Sequence, residues 1–288
     1  DPLVVAGAGL VHHHAVDAHE GSLWWCLLVE RRLLEIDQWF RNAGGVDYRV
    51  VKGPAVAHLD EIDPSLRSYG DLDLLVAGPS MDRALEVLMA HGAVRARPAQ
   101  RPGFDARFAK GIGTRFNDGI EVDVHRSFCD GAHGFRIPLD RVFATAEQFA
   151  IGGRPLPTPA KAHRALHACY HAVIGSSTPP LRTLRDLGWY LSDTDLPPVV
   201  LAAEAQAWRG EAVLAQAVRI TLDTLHLPLP AWRAWLARTP IDPAESRLIE
   251  RDREPTNLPF RWSTVRELRW PDRAAFAWAV AFPSPEVL

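Results

Sequence analysis

The clearest pattern along the chain is a run of apolar residues at helical spacing near its beginning. From Gly21 to Asn42 these residues recur every three or four positions, and Gly44 and Gly45 follow directly. Such a stripe is typical of an amphipathic helix with one buried face, and glycines commonly mark a helix end. The pattern therefore predicts a helix over residues 21–42.

Shorter patterns then alternate between strand and helix. A short apolar run bounded by turn residues indicates a buried strand, and a proline in the first turn favours the start of a helix. On these criteria we predict, in chain order, a strand at Tyr48–Val51, a helix at Pro54–Leu59, a strand at Leu72–Val76 and a helix at Pro79–His91.

Between Phe104 and Phe128 the pattern changes to an alternation of polar and apolar positions. A period of two is typical of half-buried strands, and glycines favour the turns between them. We therefore predict two or three antiparallel strands that end in the run Ile120 to His125. Their turns are expected at three glycines, Gly111, Gly113 and Gly119.

Residues 152–159, with the sequence Gly-Gly-Arg-Pro-Leu-Pro-Thr-Pro, are the best candidate for a domain boundary. Glycines and prolines at this density interrupt both helices and strand pairing. We predict an N-terminal unit over residues 1–153, which combines the first helix with the strands, and a helical unit over residues 154–288. The predicted helices of the second unit are Ala160–Ile174, Leu181–Leu191 and Val199–Leu225. A proline-broken tail follows, in which five tryptophans are expected to pack a helical bundle, namely Trp232, Trp235, Trp262, Trp270 and Trp278.

Composition adds limits on the environment and the partners. With 288 residues and 47% apolar composition, the chain can bury a sizeable core, and its three cysteines are expected to be buried thiols rather than disulfides. This use of cysteine favours a cytoplasmic location, and no apolar stretch is long enough to span a membrane. A formal net charge of -3 gives no overall attraction to DNA. The histidines His12 to His14 are too few for a metal tract and are expected to form an incidental surface cluster.

Asp71 and Asp73 are the first candidates for chemistry. In a strand successive side chains point to opposite faces, so these two aspartates share one face while Leu72 and Leu74 are buried on the other. Two carboxylates this close raise each other's pKa unless a cation neutralises them, which is why such a pair favours Mg²⁺. The alternative is a loop-to-strand entry at which both acids are simply exposed.

Asp123 and His125 repeat this alternation on the later strand. If that strand lies beside the first, Asp123 becomes a third carboxylate of the same site. Three carboxylates can hold two metal ions, which clamp the attacking and leaving oxygens of a phosphoryl transfer. His125 has several open roles, as a metal ligand, as a partner that orients Asp123, in proton transfer, or as a structural residue.

The segments around these acids resemble a known family. The run Val50 to His58 contains Lys52-Gly53-Pro54, a short spacer contains Arg67, and Gly70-Asp71-Leu72-Asp73 follows. Together with Glu121-Val122-Asp123-Val124-His125, these segments resemble the uncharacterised nucleotidyltransferase family within the polymerase-beta-like superfamily. The resemblance covers roughly residues 20–195 and is weaker in the helical part.

The resemblance implies an α+β fold, in which a small mixed β-sheet is flanked by helices and followed by a helical C-terminal domain. It implies that Mg²⁺, or Mn²⁺ in its place, supports transfer from an NTP, with ATP as the expected donor. The implied catalytic and metal-binding residues are Asp71, Asp73 and Asp123. The implied nucleotide-binding residues are Lys52, Gly53, Arg67 and Gly70, with Gly53 at a helix start that receives the triphosphate. One departure is Pro54, which stands where the superfamily usually has a serine and supplies neither a hydroxyl nor an N-H.

Several other residues have open interpretations. His167 and His171 are four residues apart on one helix face, a spacing that permits zinc binding, although packing or substrate contact is favoured. Arg67 is either a partner of phosphate or carboxylate groups or a surface arginine. Arg182 and Asp186 have the same helical spacing and are predicted to form an ion pair on the helix surface or between helices.

The leading hypothesis is a nucleotidyltransferase that acts on a hydroxyl or phosphate of a small molecule or peptide, as in natural-product tailoring or antibiotic modification. In this hypothesis the helical unit forms the acceptor side of the cleft, and His125 and His171 are possible supporting residues. One alternative is a toxin-like enzyme that modifies a protein or a tRNA. Another is a catalytically silent module that binds a nucleotide or a partner, for which Pro54 is the best support.

Overall fold

The computed structural model describes residues 2–98, 101–175, 178–253 and 258–282. Its description of side chains begins at residue 19 and omits residues 254–262. The predicted surface cluster His12 to His14 and the predicted packing of Trp262 therefore lie outside the described residues. Within the described part, no helix is both long enough and apolar enough to cross a membrane.

The chain mixes strands and helices up to residue 158 and is helical beyond it. In the described residues the strands are β1 (Tyr48–Val51), β2 (Asp71–Val76), β3 (Val94–Arg95), β4 (Gly111–Arg115), β5 (Glu121–His125), β6 (Glu147–Ile151) and β7 (Arg154–Thr158). The α-helices are α1 (Pro2–Asn42), α2 (Gly53–Leu59), α3 (Met81–Ala90), α4 (Phe104–Phe108), α5 (Gly131–Arg136), α6 (Leu139–Ala144), α7 (Lys161–Val173), α8 (Leu181–Ser192), α9 (Pro198–Ala207), α10 (Glu211–Thr224), α11 (Pro230–Arg238), α12 (Pro243–Asp252), α13 (Leu258–Glu267) and α14 (Trp270–Ala281).

The larger sheet is mixed. Its strand order is β1-β2-β5-β4-β3, with β2 and β5 parallel and the other neighbouring pairs antiparallel. The predicted α+β fold, with a small mixed sheet, flanking helices and a helical C-terminal part, is confirmed.

One face of this sheet packs against α1. Leu33, Ile36 and Phe40 of α1 are buried in one cluster with Leu72 and Leu74 of β2. Burying a side chain of this size stabilises the fold by roughly 1.5–3 kcal/mol relative to leaving it exposed. Because successive residues of a strand alternate faces, this packing directs the neighbouring aspartates of β2 to the opposite face.

The opposite face of the sheet meets the helical half of the chain. Val51 and Leu75 on this face join a second buried cluster, to which α7, α8, α9 and α10 contribute most of the other residues. Asp73 lies two residues before Leu75, so its side chain points toward the same helices. The space between this face and the helices forms the cleft described below.

The segment between Phe104 and Phe128 contains two antiparallel strands, β4 and β5, in agreement with the predicted two or three. It differs from its prediction in that Phe104–Phe108 form the short helix α4. Gly111 and Gly113 lie inside β4 rather than at turns, whereas Gly119 has a φ of 89° and does occupy the turn between β4 and β5. Gly111 and Gly113 occur in the strand for a different reason, because a side chain at either position would lie too close to β5.

The predicted boundary segment contains regular structure. Gly152 and Gly153, with φ of 56° and 77°, form the turn of a hairpin between β6 and β7. The expectation that this segment interrupts strand pairing was therefore wrong. Strands tolerate alternate prolines because successive N-H groups point to opposite sides, and one side of β7 can lack donors. Thr158 of β7 donates a hydrogen bond to the carbonyl of Val50 at 2.8 Å. The division into units 1–153 and 154–288 stays a prediction.

The predicted helix Val199–Leu225 is two helices, α9 and α10. The break follows Trp208, where Arg209 has a φ of 52° and Gly210 lies against the phenol ring of Tyr170. A left-handed backbone cannot continue an α-helix, and a Cβ at Gly210 has no room beside Tyr170.

Only part of the predicted tryptophan packing is observed. Trp232 is buried and contacts Trp235 edge to face, whereas Trp270 and Trp278 are 81% and 58% exposed, so their predicted packing was wrong. Helix α14 instead buries Phe276, which lies against Phe104 and Phe108 of α4. The large side chain that α14 buries is thus Phe276 rather than either of its two tryptophans.

The prediction for the cysteines is confirmed. Cys26, Cys129 and Cys169 are all buried and free. Burial raises the pKa of the Cys129 and Cys169 thiols. These side chains therefore behave as small apolar residues of the core.

Candidate active site

A cleft of about 450 Å³ lies between the sheet and helices α7 and α8. Its sheet side includes the β1–α2 turn and the first residues of β2. Its lining residues are Lys52, Gly53, Val56, Arg67, Tyr69, Gly70, Asp71, Asp73, Glu121, Arg164, His167, Ala168, His171, Pro180, Arg182, Thr183, Asp186 and Tyr190. Two of the residues predicted for the site, Asp123 and His125, are not among the lining residues. Both are on β5, the neighbour of β2, and lie close to Asp73.

The predicted pairing of the two acidic strands is confirmed. In the parallel register of β2 and β5, Asp73 lies opposite Asp123, and Asp71 lies opposite Glu121. Because facing residues of neighbouring strands point to the same side, the Asp73 and Asp123 carboxylates share one face of the sheet.

Asp73, Asp123 and His125 form a compact group. One ligand atom from each lies within 4.8 Å of the other two. Asp71 is not a member of this group and is exposed at the beginning of β2. The structure thus brings together two of the three predicted metal-binding carboxylates and adds His125, for which a metal ligand was one of the open roles.

Asp73 is the electrostatic centre of the group. Its Oδ1 accepts hydrogen bonds from Nζ of Lys52 at 2.8 Å and from Nε2 of His125 at 2.6 Å. Burial acts to raise the pKa of the Asp73 carboxyl, but the hydrogen bond from His125 and the charge of Lys52 outweigh it and lower that pKa. Asp73 is therefore ionised throughout the physiological range. Although Asp71 is exposed by surface area, the protein around its carboxyl partly desolvates it, and this desolvation and the charge of Asp73 raise its pKa.

The donor chemistry fits a divalent cation. Carboxylates are the ligands that Mg²⁺ and Mn²⁺ prefer, and Asp123 is half-buried with no ion pair in the described part of the chain. Asp73 and Asp123 would hold the cation. His125 donates to Asp73 and so orients a ligand, the usual role of a hydrogen-bond partner around a metal.

The β1–α2 turn holds Lys52 in a strained conformation. Lys52 has a φ of 57° and a ψ of -148°, close to a region that glycine alone occupies readily. Gly53 has a φ of 28°, and a Cβ added there would lie 3.4 Å from the Tyr69 ring and 3.6 Å from the carbonyl of Asp71. In this conformation the Lys52 side chain donates a hydrogen bond to Asp73. Strain of this kind clusters at functional sites, where the surrounding structure overcomes its cost.

Arg67 is buried and its guanidinium is fully engaged. Its Nε donates to the two Asp186 oxygens at 3.2 Å and 3.1 Å, and its Nη2 donates to Asp186 Oδ2 at 2.9 Å. Its Nη1 donates to the Ser68 carbonyl at 3.1 Å. The predicted pair of Arg182 with Asp186 was therefore wrong, because Arg67 from a distant segment takes the carboxylate. Arg182 instead donates to the Ser68 carbonyl at 3.0 Å.

Residues 27–226 match the sequence model of a protein family whose description is uncharacterised nucleotidyltransferase. The chain belongs to this family. Its matched segment includes the whole of the acidic group, the β1–α2 turn and the helices that line the cleft. The family resemblance stated from the sequence is confirmed.

Solved structures similar to this nucleotidyltransferase-family protein include an antigenic nucleotidyltransferase-like protein from Paracoccidioides brasiliensis, which is 16% identical, with a TM-score of 0.41. The match covers 72% of this chain and 92% of that chain. A search of curated proteins gave no match.

The two histidines of α7 lie on the helical side of the cleft in this family member. His167 stacks on the Phe128 ring with 4.4 Å between ring centroids, and burial lowers its pKa well below the usual value. Burial and the nearby charges of Lys52 and Lys110 lower the pKa of His171 to about 4. Both histidines are thus neutral at neutral pH, and neither belongs to the acidic group in the described residues.

Sequence reasoning missed the glycines that make room for the site. On β4, a Cβ added to Gly111 would lie 2.7 Å from Nδ1 of His125, and one added to Gly113 would lie 3.1 Å from Oδ1 of Asp123. An isolated glycine within an alternating pattern is a known sign of close backbone approach, so the sequence did contain this signal.

Sequence reasoning also missed the ion pairs that join the two sides of the cleft. Arg164 of α7 binds Asp60 through two hydrogen bonds of 2.8 Å and 2.6 Å, and Arg185 of α8 pairs with Glu61. These partners are more than a hundred residues apart in the sequence, so no local pattern announces them.

Proposed function

We propose that this protein is a Mg²⁺- or Mn²⁺-dependent nucleotidyltransferase, which moves a nucleotidyl group from an NTP to a hydroxyl or phosphate of a small molecule or peptide. The observation that carries the proposal is the register of β2 and β5, which puts Asp73 opposite Asp123 beside a cleft in a member of a nucleotidyltransferase family. ATP is the expected donor.

In the proposed reaction the acceptor oxygen attacks the α-phosphorus of the NTP. A new P-O bond forms, the bond to the bridging oxygen breaks, and pyrophosphate leaves with that bond's electron pair. The proton of an acceptor hydroxyl passes to a base, for which we propose Asp123, the half-buried carboxylate opposite Asp73, which has no ion-pair partner among the described residues. When bound, a divalent cation would stabilise the charge that develops on the phosphate oxygens.

The chain's own residues supply the remaining requirements. Lys52 and Gly53 line the cleft beside Asp73, at the end of the cleft where the phosphates would lie next to the carboxylates. Lys52 also neutralises Asp73 before any cation or nucleotide arrives. The acceptor would enter from the side formed by α7 and α8.

The first test is calorimetry of triphosphate binding with and without Mg²⁺. Changing Asp71 and Asp73 together to asparagine should abolish the Mg²⁺-dependent part of the binding. The matched control is Asp82→Asn on α3, an exposed acid outside the cleft, which should bind as the unchanged protein does. Undiminished Mg²⁺-dependent binding by the double variant would exclude the proposed site.

The second test identifies the acceptor. Incubation of the protein with a cell lysate and each of the four NTPs labelled at the α-phosphate should transfer label to a small-molecule or peptide fraction. Label in the protein or tRNA fraction would support the toxin-like alternative, to which the net charge of -3 lends no support. Absence of transfer from all four NTPs would count against an enzyme.

A silent binding module remains the competing function, and two observations favour it. Pro54 removes both a hydroxyl and an N-H from the predicted phosphate turn, and Lys52 already occupies the Asp73 carboxylate. Such a module should bind its ligand equally well in EDTA. Strict dependence on a divalent cation would eliminate it.

A further inference from the structure

Among the described residues, four cationic side chains line the cleft, and three of them are already neutralised. Lys52 pairs with Asp73, Arg67 with Asp186, and Arg164 with Asp60. The fourth is Arg182. A cation that is paired with a carboxylate of the protein offers little net attraction to an anionic ligand, so Arg182 differs from the others in what it can bind.

Arg182 is held in place without being neutralised. Its first NH2 group donates to the carbonyl of Ser68 at 3.0 Å, and it forms no ion pair within the described residues. A guanidinium has five N-H donors in a planar fork, so one bond to a carbonyl leaves most of them free. The side chain is exposed at the cleft. Such a group suits the paired oxygens of a phosphate.

The structure around Arg182 fixes its position. One turn further along α8, Asp186 makes the buried pair with Arg67, and Arg67 also donates to the Ser68 carbonyl. The same carbonyl thus receives hydrogen bonds from both arginines, one buried and one exposed. The Arg67–Asp186 ion pair therefore holds the start of α8 against the segment that leads into β2. This contact also fixes the position of Arg182.

The first turn of α8 adds to the attraction for anions. Pro180 is the N-cap residue and makes no side-chain capping bond, and both Pro180 and Thr183 line the cleft. The first turn of a helix has unsatisfied N-H groups and the positive end of the helix dipole. Here that helix end and the Arg182 guanidinium lie on the same side of the cleft.

The helix on the sheet side is poorly equipped for the same task. α2 has only seven residues, and Pro54 in its first turn has no N-H to donate. Lys52, the neighbouring cation, is bound to Asp73. The positive charge for a phosphate in this cleft therefore has to come largely from the helical side.

We propose that Arg182, together with the first turn of α8, forms a phosphate-binding subsite on the helical side of the cleft. This deepens the proposed function and rests on it for the identity of the ligand as a substrate. The phosphate belongs either to the terminal phosphates of the NTP or to a phosphorylated acceptor. Arg67 and Asp186 are positioning residues for this subsite.

The test is the binding of ATP, inorganic tripolyphosphate and AMP in EDTA, measured by calorimetry. Arg182→Met should weaken the binding of ATP and tripolyphosphate by about 10- to 100-fold, the usual effect of losing charge-assisted hydrogen bonds. Arg182→Lys keeps the charge but loses the planar fork of donors, so its affinities for both ligands should lie between those of the unchanged protein and of Arg182→Met. Arg83→Met on α3, an exposed arginine outside the cleft, is the matched control and should change nothing.

The three ligands separate the two sources of phosphate. Weakening of ATP and tripolyphosphate but not AMP assigns the subsite to the donor's terminal phosphates. Equal weakening of all three assigns it to a single phosphate, as on a phosphorylated acceptor. Unchanged binding by Arg182→Met, or no binding of any of the three ligands by the unchanged protein, would overturn the subsite.

This outcome is independent of the proposed reaction. Arg182→Met should retain its unfolding temperature and its binding of Mn²⁺ without nucleotide, because the acidic group lies on the other side of the cleft. Loss of phosphate binding without any nucleotidyl transfer by the unchanged protein would contradict the reaction and keep the subsite. Nucleotidyl transfer by the unchanged protein, together with unaltered phosphate binding by Arg182→Met, would support the reaction and overturn the subsite.

Discussion

The two sides of the cleft are built by different means. On the sheet side, the acids follow from one short alternating pattern, and the parallel register of β2 and β5 brings Asp73 beside Asp123. On the helical side, arginines and acids that are distant in the sequence neutralise one another, as Arg67 and Asp186 do. Local alternation therefore defines the acidic side of the cleft, whereas the tertiary fold decides which positive charge of the opposite side stays unpaired.

The largest expected effect lies on the sheet side. Asp73→Asn removes a ligand of the proposed cation and the partner of both Lys52 and His125. Nucleotidyl transfer should fall by about 10³-fold or more, because the stabilisation that a metal ion gives to phosphoryl transfer is worth several kcal/mol. The measurement is the initial rate of pyrophosphate release, with Asp82→Asn as the control. A rate within tenfold of the unchanged protein would show that the register of β2 and β5 is structural.

The helical side should respond in stability. Asp186→Ala leaves the buried Arg67 guanidinium without its carboxylate, and loss of one partner of a buried ion pair costs about 3–5 kcal/mol in the free energy of unfolding. Urea denaturation measures this cost. The double variant Arg67→Met with Asp186→Leu should recover much of it, because no uncompensated charge remains. A single substitution that costs less than about 1 kcal/mol would mean that the pair does not tie α8 to the sheet side.

The neutral histidine of the helical side gives a pH test. In the folded protein the pKa of His171 is lowered to about 4 by burial and by the cations Lys52, Lys110 and Arg182, against the opposing charge of Asp73. Between the usual pKa of 6.5 and about 4, the unfolded chain binds this proton and the folded chain does not. The free energy of unfolding should therefore fall as pH drops through this window, by about 2–3 kcal/mol from His171 alone.

His171→Gln isolates that contribution. The difference in unfolding free energy between the unchanged protein and this variant should change between pH 7 and pH 4, in the direction of relatively greater stability for the variant at low pH. A constant difference across this range would show that His171 is not held neutral in the cleft.

The smallest expected effects come from the glycines of β4. Gly111→Ala places a methyl group 2.7 Å from Nδ1 of His125 and 2.9 Å from the Val124 carbonyl, which should cost about 1–3 kcal/mol in stability and displace His125. Gly113→Ala meets Asp123 at 3.1 Å and should cost less. Thermal unfolding and Mn²⁺ titration measure the two consequences. Equal, negligible effects would mean that β4 does not shape the acidic group.

This contrast also explains how far the sequence could predict the structure. Asp73 and Asp123 were placed correctly because the period of a strand is local and their apolar neighbours showed which face is buried. Arg182 and Asp186 were paired wrongly because helical spacing makes them neighbours, while the fold brings the buried Arg67 to the same carboxylate. Trp270 and Trp278 were expected to pack in the bundle because they are large aromatic residues, but residue type does not say which face of a helix will find a partner.

The most direct test of the central claim is Mn²⁺ binding followed by electron paramagnetic resonance, with and without a non-hydrolysable ATP analogue. The unchanged protein should bind Mn²⁺ and hold it more tightly with the analogue present. The variant with both Asp73→Asn and Asp123→Asn should retain its fold and bind no Mn²⁺ in either condition. Equal Mn²⁺ binding by that folded double variant would contradict the assignment of Asp73 and Asp123 as the metal site.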